Sequence, residues 1–333
     1  MTDAVAKPFN ILAVAQSGRL EHQAIILTAS LRQQAPHWRG RLILAEPLPD
    51  GAWAGQDTRI SGPVRDLLSE LGAEIQPFTA RHFGGNYPYG NKIEALSLLP
   101  AGEPFLFLDT DTLILGPLER LAGSLDRPSA SMRREGTWPE PPLYGPGRSE
   151  IWASLYERFG LDFDSSLDRR YSEDDWRRYL YFNAGWFAGP DPAVFGARFL
   201  DWALAVRREP GDALACQSLD PWLDQVVLPL VIHSLGGGRP GMDLAGLDGD
   251  LTCHYRNLPL LYARESDAAI EVLENAVAPN RIKKVLRDWQ PAKRLIYQGK
   301  GRDKVRPLFP DREASTPEKP IRKRLRAEGW WMP

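Results

Sequence analysis

Short apolar runs alternate with amphipathic segments over the first 110 residues of the chain. The strands predicted from these runs are, in chain order, residues 9–15, 42–45, 75–78 and 105–108. Between them, apolar residues recur at helical spacing over residues 20–33, 64–71 and 91–99. This β-α-β order predicts an α/β fold with a mostly parallel central sheet flanked by helices. The last strand is apolar throughout, as burial on both faces requires.

The pattern loosens after residue 115. Residues 133–150 are rich in Pro and Gly and are predicted to form a loop, and residues 151–180 are predicted to form short helices. A strand (181–188), two helices (193–206 and 220–230) and a Gly-rich loop (236–250) follow. Residues 299–333 have few apolar positions and five prolines, which predicts an extended or partly disordered tail. We therefore divide the chain into a main domain (1–298), containing an insert (133–180), and a tail (299–333).

The overall charge hides an asymmetry. The chain of 333 residues has a formal net charge of −2, but residues 281–333 carry 16 Lys and Arg against 6 Asp and Glu. The body is therefore acidic and the C-terminal extension basic, which excludes a globally basic nucleic-acid binder. Two cysteines exclude a disulfide framework and a Cys-rich zinc site. The first residues lack the layout of a signal peptide and no apolar stretch is long enough to span a membrane, so a cytoplasmic protein is expected.

The sharpest chemical feature is the segment PFLFLDTDTLILGPL, in which Asp109 and Asp111 follow the apolar strand 105–108. In extended chain these two side chains point the same way, at the sheet edge where α/β proteins bind ligands. Paired carboxylates repel each other, and a divalent cation would offset that cost. Asp-x-Asp also occurs at Asp162 and at Asp248, where no strand-like runs flank it and a solvated turn is expected.

The segment GNKIEALSLLPAGEPFLFLDTDTLILGPL resembles the metal-binding stretch of nucleotide-sugar glycosyltransferases with the GT-A fold, most closely family 8. Three further segments follow in the family's order: YFNAG at 181–185, WLDQ at 222–225 and CHY at 253–255. The resemblance spans residues 9–256. It implies a GT-A type nucleotide-diphospho-sugar transferase fold for this chain.

The resemblance implies a metal site formed by Asp109, Asp111 and His254. Mixed carboxylate and imidazole ligation favours Mn²⁺, with Mg²⁺ as the alternative. His233 is a rival ligand, but its apolar, helix-like surroundings favour a structural role. From the residues alone, an ordinary hydrogen-bonded histidine is the alternative interpretation of His254.

The resemblance also assigns residues to the donor and to catalysis. Those assigned to the nucleotide sugar are Gln16, Ser17, Lys92, Asp109, Thr110, Asn183, Gly185 and Arg256. Asp224 and Gln225 are expected beside the reacting sugar carbon, and Gly185 is expected to leave room for a close approach. A plain turn explains Gln16 and Ser17 equally well, and a solvated helix lysine explains Lys92 equally well.

The chain departs from the family pattern after His254. The family often has Gly and then Lys after its His-Tyr, whereas this chain reads HYRNLPLLYARE. Arg256 or Arg264 is the candidate to replace the missing cation. The insert 133–180 is rich in aromatic residues, including Trp138 and Trp152, which would serve either an acceptor site or the insert's own core.

These features predict a metal-dependent hexosyltransferase that uses a nucleotide sugar and acts on a glycan, lipid-linked or other acceptor. The resemblance implies a UDP-linked donor and retention of the anomeric configuration. A haloacid-dehalogenase-type phosphatase with Asp109 as nucleophile is one alternative, although Leu113 and the placement of Asp174 and Asp175 depart from that pattern. A catalytically inactive sugar- or nucleotide-binding domain is another. No nucleic-acid partner is expected.

The tail ends in IRKRLRAEGWWMP, where basic residues precede Trp330 and Trp331. This composition suits peripheral contact with an anionic membrane on its inner face. The alternatives are a solvated tail and a tail that docks on the acidic body.

Overall fold

The computed structural model describes residues 8–311 and 316–332, and has a central sheet of six strands with helices on both faces. Residues 1–7 of the predicted main domain, and residues 312–315 and 333 of the predicted tail, lie outside the described residues. Among the described residues, no helix combines the length and the apolar character needed to cross a membrane.

The strands alternate with helices in the first half of the chain. The strands are β1 (Asn10–Val14), β2 (Leu42–Pro47), β3 (Glu74–Phe78), β4 (Phe105–Leu108), β5 (Thr112–Ile114), β6 (Ser129–Ser131), β7 (Asn183–Gly189) and β8 (Thr252–His254). The helices are α1 (Arg19–Gln34), α2 (Gly62–Glu70), α3 (Asn91–Glu94), α4 (Arg148–Arg158), α5 (Phe163–Ser166), α6 (Pro192–Arg208), α7 (Leu223–Ser234), α8 (Leu258–Arg264), α9 (Asp267–Ala276), α10 (Asn280–Leu286) and α11 (Glu318–Ala327).

The central sheet has the order β3-β2-β1-β4-β7-β6. The pairs from β3 to β4 are parallel, whereas β7 is antiparallel to both β4 and β6. One reversed strand in six gives the mostly parallel sheet that the sequence predicts, so the predicted fold class is confirmed.

The two faces of the sheet bury separate cores, because successive strand residues point to opposite sides. Ile11 and Leu106 belong to one core, together with α1, α2 and the C-terminal helices, and Leu12 and Phe107 belong to the other, together with α6 and α7. The functional residues lie where the carboxyl ends of β1 and β4 emerge between these two layers.

The sequence missed a second, two-stranded sheet formed by β5 and β8. Leu113 pairs with Cys253 across this sheet, although 140 residues separate them. The helix predicted over residues 91–99 is also shorter in the structure. The α-helix α3 ends at Glu94, and a 3-10 turn over Ala95–Leu98 follows it.

The prediction of an extended C-terminal tail is wrong for most of its described residues. Helical turns occupy Gly301–Val305 and Arg306–Leu308, and α11 follows. Ile321 and Leu325 of α11 are buried in the first core, and Trp330 and Trp331 pack against that core. The tail has too few apolar residues to form a core of its own, which is why no helix was predicted there. Ile321 and Leu325 are nevertheless enough to anchor α11 on the core of the main domain.

Candidate active site

Asp109 and Asp111 lie where the chain leaves β4 and turns into β5. The backbone N–H of Asp109 donates to the carbonyl of Gly185 at 2.9 Å, so β7 still holds this residue. The carbonyl of Asp111 accepts from the N–H of Tyr255 at 2.9 Å, which continues the β5–β8 ladder. The backbone on both sides of the turn is therefore fixed, and both carboxyl groups face the same cavity.

The β5–β8 pairing brings His254 to the two aspartates, because His254 is the register partner of Thr112. His254 Nε2 lies 3.1 Å from Asp111 Oδ1 and 3.8 Å from Asp109 Oδ2. Among the described residues, these three side chains are the one group of at least three His, Cys, Asp or Glu whose ligand atoms lie within 4.8 Å of one another. This convergence fits a divalent cation with oxygen and imidazole ligands.

The Asp111 carboxyl group is set for ligation by its surroundings. Burial alone would raise its pKa, but His254, Arg19 and Arg256 together outweigh that effect and the pKa is lowered. Asp111 therefore stays ionised, which a cation ligand requires. His233, the rival ligand, lies instead beside Ser165, with its Nε2 3.3 Å from Ser165 Oγ.

Gly185 makes room for the His254 ring. A Cβ atom on Gly185 would lie 2.2 Å from His254 Nδ1 and 2.7 Å from Asn183 Oδ1. Asn183 Oδ1 itself accepts from the Gly185 N–H at 2.9 Å. The absence of a side chain at this position, which the sequence linked to the approach of a sugar, allows the His254 ring to pack against β7.

We expect Gly185→Ala to displace the His254 ring and to weaken Mn²⁺ binding by about 10- to 100-fold, the range for loss of support to a metal ligand. Isothermal titration with Mn²⁺ measures this change. Gly189→Ala on the same strand is the matched control. A Cβ atom added at Gly189 would come no closer than 3.3 Å to another residue, at a Phe105 side-chain atom. Equal metal affinity in Gly185→Ala and wild type would contradict the assignment of His254.

Lys92 is a buried cation between two carboxylates. Its Nζ lies 2.9 Å from Asp109 Oδ1 and 3.5 Å from Asp224 Oδ2, and donates to the carbonyl of Ala184 at 3.0 Å. Burial alone would lower its pKa, but Asp109 and Asp224 outweigh burial, and the pKa is raised. Lys92 is thus not the solvated helix lysine of the alternative interpretation, and it links Asp109 to Asp224.

Asp224 lies in the first turn of α7 and is 2% exposed. Its Oδ1 accepts from the hydroxyl of Tyr87 at 3.0 Å, and that hydroxyl accepts from the Asp224 N–H at 2.9 Å. Burial raises the pKa of Asp224, although Lys92 opposes that effect. Next to it, Gln225 Oε1 accepts from the hydroxyl of Tyr181 at 2.9 Å. Both side chains are therefore fixed in position before any substrate arrives.

Two adjoining cavities contain every predicted site residue. The first, of about 410 Å³, is lined by Lys92, Asp109, Asp111, Asn183, Gly185, Asp224, Gln225, His254 and Arg256. The second, of about 370 Å³, is lined by Gln16, Ser17, Thr110 and again Lys92, Asp109 and Asp111. The two cavities meet at the aspartates, so a ligand that touches the metal site would reach into both.

The second cavity lies beyond the end of β1. Gln16 Oε1 accepts from Asn91 Nδ2 at 3.3 Å, and the hydroxyl of Ser17 donates to the carbonyl of Asp57 at 2.7 Å. Arg19, which the sequence did not single out, lines both cavities. Its position just after the predicted loop 16–18 was the available signal.

Arg256 has a left-handed backbone conformation, and its side chain forms an ion pair. Its φ of 65° lies in the left-handed region that favours glycine. Its Nε lies 2.7 Å from Glu318 Oε1 on α11. The other candidate cation, Arg264, is 1% exposed at its side chain and pairs with Glu135. Arg264 is not among the residues that line the cavity of the metal site.

The remaining acidic motifs have structural roles. Asp162 Oδ1 accepts from the Ser165 N–H at 3.3 Å and caps α5. Asp248 Oδ1 accepts from Trp186 Nε1 at 2.7 Å. Asp175 pairs with Arg177 at the surface, and with Asp174 it lines a hollow separate from the metal site. The acidic pair that a phosphatase would need is thus away from Asp109.

Most aromatic residues of the insert belong to the core that also contains Leu12 and Phe107, or pack against it. Trp138 and Trp152 are 2% and 1% exposed and pack edge-to-face, with ring centroids 5.3 Å apart. Tyr144, by contrast, is 90% exposed. The buried pair supports the structural interpretation for these two tryptophans.

The chain is similar to known glycosyltransferases. The family model described as the Rhodobacterales glycosyltransferase domain matches residues 11–236. No curated protein sequence matches the chain. Among solved structures, the galactosyltransferase LgtC in complex with donor and acceptor sugar analogues is similar at a TM-score of 0.45 and 16% identity, over 82% of this chain and 96% of that one. An active-site mutant of LgtC gives 0.46 and 13%, over 81% and 96%.

Proposed function

The chain belongs to the Rhodobacterales glycosyltransferase domain family, and from that premise we propose that it transfers a hexose from a UDP-linked sugar in a metal-dependent reaction that retains the anomeric configuration. The observation that carries this proposal is the convergence of Asp109, Asp111 and His254 in the cavity that also contains Asp224. We propose a GT-A type fold and a reaction like that of family 8 for this chain, as the sequence resemblance implies.

We propose Mn²⁺ as the ion, with Mg²⁺ as the alternative, held by Asp109, Asp111 and His254. The ion, when bound, acts as a Lewis acid that neutralises charge on the departing nucleoside diphosphate. Asp109 has a second task, because its Oδ1 lies 2.9 Å from Lys92 Nζ. Lys92 thereby offsets part of the negative charge of Asp109 and Asp224.

Asp224 and Gln225 border the sugar end of the cavity in this proposal. The buried Asp224 carboxylate stabilises the positive charge that develops at the anomeric carbon in an oxocarbenium-like transition state. Asn183 and Gln225 offer amide groups to the sugar hydroxyls. Gln16, Ser17 and Thr110 lie in the adjoining cavity, where the base and ribose would bind.

The acceptor is proposed to be a carbohydrate or a lipid-linked saccharide. Because Ile321 and Leu325 of α11 are buried in the core, the apolar face of this helix is already used. Contact with an anionic membrane would then rest on the exposed Lys319, Lys323, Arg324 and Arg326. We also propose that the enzyme is cytoplasmic and contacts the membrane peripherally in this way. The boundary between the main domain and the tail is proposed to lie after residue 298.

The test is to measure the melting temperature with UDP, GDP or CDP, each with and without Mn²⁺, and then to assay the release of UDP from UDP-hexoses. We expect a Mn²⁺-dependent rise with UDP, because ligand binding to the folded state stabilises it. An unchanged melting temperature with all three nucleotides would contradict the donor proposal. Hydrolysis of p-nitrophenyl phosphate that is lost in Asp109→Asn would support the phosphatase alternative instead.

A further inference from the structure

The C-terminal helix forms part of the wall of the metal-site cavity. Arg322 of α11 and Trp331, which follows that helix, line the same cavity as Asp109, Asp111 and His254. The family match ends at residue 236 and the sequence resemblance at residue 256, so neither assigns a role to these residues. The tail is therefore a component of the site and not only an appendage of the body.

A single buried carboxylate organises two arginines at this wall. Glu318, with a side chain that is 5% exposed, lies 2.7 Å from Arg256 Nε and also pairs with Arg322 one turn along α11. Its backbone N–H donates to Glu135 Oε2 at 3.1 Å, which fixes the start of the helix. Arg256 lies two residues from the metal-ligand candidate His254, so the group Arg256–Glu318–Arg322 is attached directly to the metal site.

The arginines of this group share one carboxylate. Arg256 and Arg322 both pair with Glu318, whereas Glu135, the other acidic residue at this wall, pairs with Arg264. A divalent ion held by Asp109 and Asp111 has its own charge offset by those two carboxylates, so a diphosphate bound there still needs further cations. Arginine presents several N–H donors in a planar fork that matches phosphate oxygens.

Arg322 is the member of the group that is best placed to reach a ligand. Its side chain is 39% exposed, against 23% for Arg256. The guanidinium carbon lies 5.2 Å from the centroid of the Trp331 ring, and this stacking together with Glu318 holds the side chain in place. Its Nε is buried and has no hydrogen-bond partner among the described residues, so the exposed part of the guanidinium is the part that a ligand would meet.

We propose that Arg322 binds the diphosphate of the nucleotide-sugar donor and stabilises the charge on the departing nucleoside diphosphate, with Glu318 as the residue that positions it. This inference rests on the proposed function, because it names a further residue for the same donor. It makes α11 necessary for donor binding.

The experiment compares Arg322→Ala and Arg322→Lys with wild type by isothermal titration in the full-length protein. The ligands are UDP with Mn²⁺, inorganic pyrophosphate with Mn²⁺, and uridine. We expect Arg322→Ala to weaken both diphosphate ligands by about 10- to 100-fold, the loss of one charge-assisted contact, and to leave uridine within about twofold. Arg322→Lys should lose less. The matched control is Lys323→Ala, the exposed neighbour on α11, which should bind all three ligands as wild type does.

Each outcome separates this inference from the proposed function. Wild-type affinity for UDP and pyrophosphate in Arg322→Ala would overturn the inference and leave the donor proposal intact. An equal loss of uridine binding would show a merely structural role and would also overturn it. If wild type binds pyrophosphate with Mn²⁺ but no nucleoside diphosphate, the donor proposal fails, and the pyrophosphate affinity of Arg322→Ala then decides the inference alone. If wild type binds neither, both are overturned.

Discussion

Asp111→Asn should bind Mn²⁺ at least about 100-fold more weakly than wild type and should show no Mn²⁺-dependent binding of UDP. The substitution keeps the shape of the side chain but removes the charge that is 3.1 Å from His254 Nε2. A neutral amide is a poor ligand for a hard divalent ion, and the loss of a direct ligand exceeds the 10- to 100-fold effect of losing a supporting contact. Titration with Mn²⁺, followed by UDP at saturating Mn²⁺, measures both effects.

The chain provides a matched control for this variant in its exposed Asp-x-Asp motif. Asp164→Asn removes a carboxylate that is 75% exposed and pairs with Arg169 at the surface. It makes the same chemical change at a residue that lines neither cavity of the candidate site, and it should leave Mn²⁺ affinity unchanged. Asp111→Asn with wild-type metal affinity would refute the metal site and, with it, the charge argument for Arg322.

The sequence predicted the acidic half of the site because that half depends on local pattern. An apolar run followed by two aspartates at i and i+2 requires only that the run be a buried strand, and β4 is one. The order of strands and helices likewise predicted the mostly parallel sheet. These inferences need no knowledge of which distant segments meet.

The rest of the site depends on contacts between distant segments. His254 reaches Asp111 through the pairing of β5 with β8, two strands of three residues that are too short to give a period. The resemblance supplied that histidine, whereas the residue pattern alone favoured an ordinary one. Gly185 shows the same limit, since its role depends on a ring that arrives from a segment about 70 residues later.

Charge patterns were the least informative part of the sequence. The basic tail was compatible with solvent, a membrane or the body, because a run of arginines does not specify its partner. Two buried side chains, Ile321 and Leu325, and the buried Glu318 decide the outcome for α11. A helix anchored by so few residues is difficult to detect from composition, but α11 lines the cavity that contains His254.

Lys92→Met should destabilise the folded protein by about 3–5 kcal/mol, the usual cost of removing one partner from a buried ion pair. Lys92 is 7% exposed at its side chain and is the cation that lies between Asp109 and Asp224. Methionine fills a similar volume but leaves Asp224, 2% exposed, with its Tyr87 hydrogen bond and no adjacent cation. Urea unfolding, with the exposed Lys284→Met as control, measures the change in free energy.

The double variant Lys92→Met/Asp224→Asn tests the cause of that loss. If the cost comes from an unpaired buried carboxylate, neutralising Asp224 should recover part of it, so the double variant should be more stable than Lys92→Met alone.

The pH dependence of the stability of Lys92→Met gives a second check with a definite sign. Burial already raises the pKa of Asp224, and removal of Lys92 raises it further, so the folded variant binds a proton that the unfolded chain releases. The deficit relative to wild type should therefore shrink as the pH falls towards that raised pKa and grow as the pH rises. A double variant no more stable than Lys92→Met, with a deficit independent of pH, would mean that Lys92 acts through packing and not through charge.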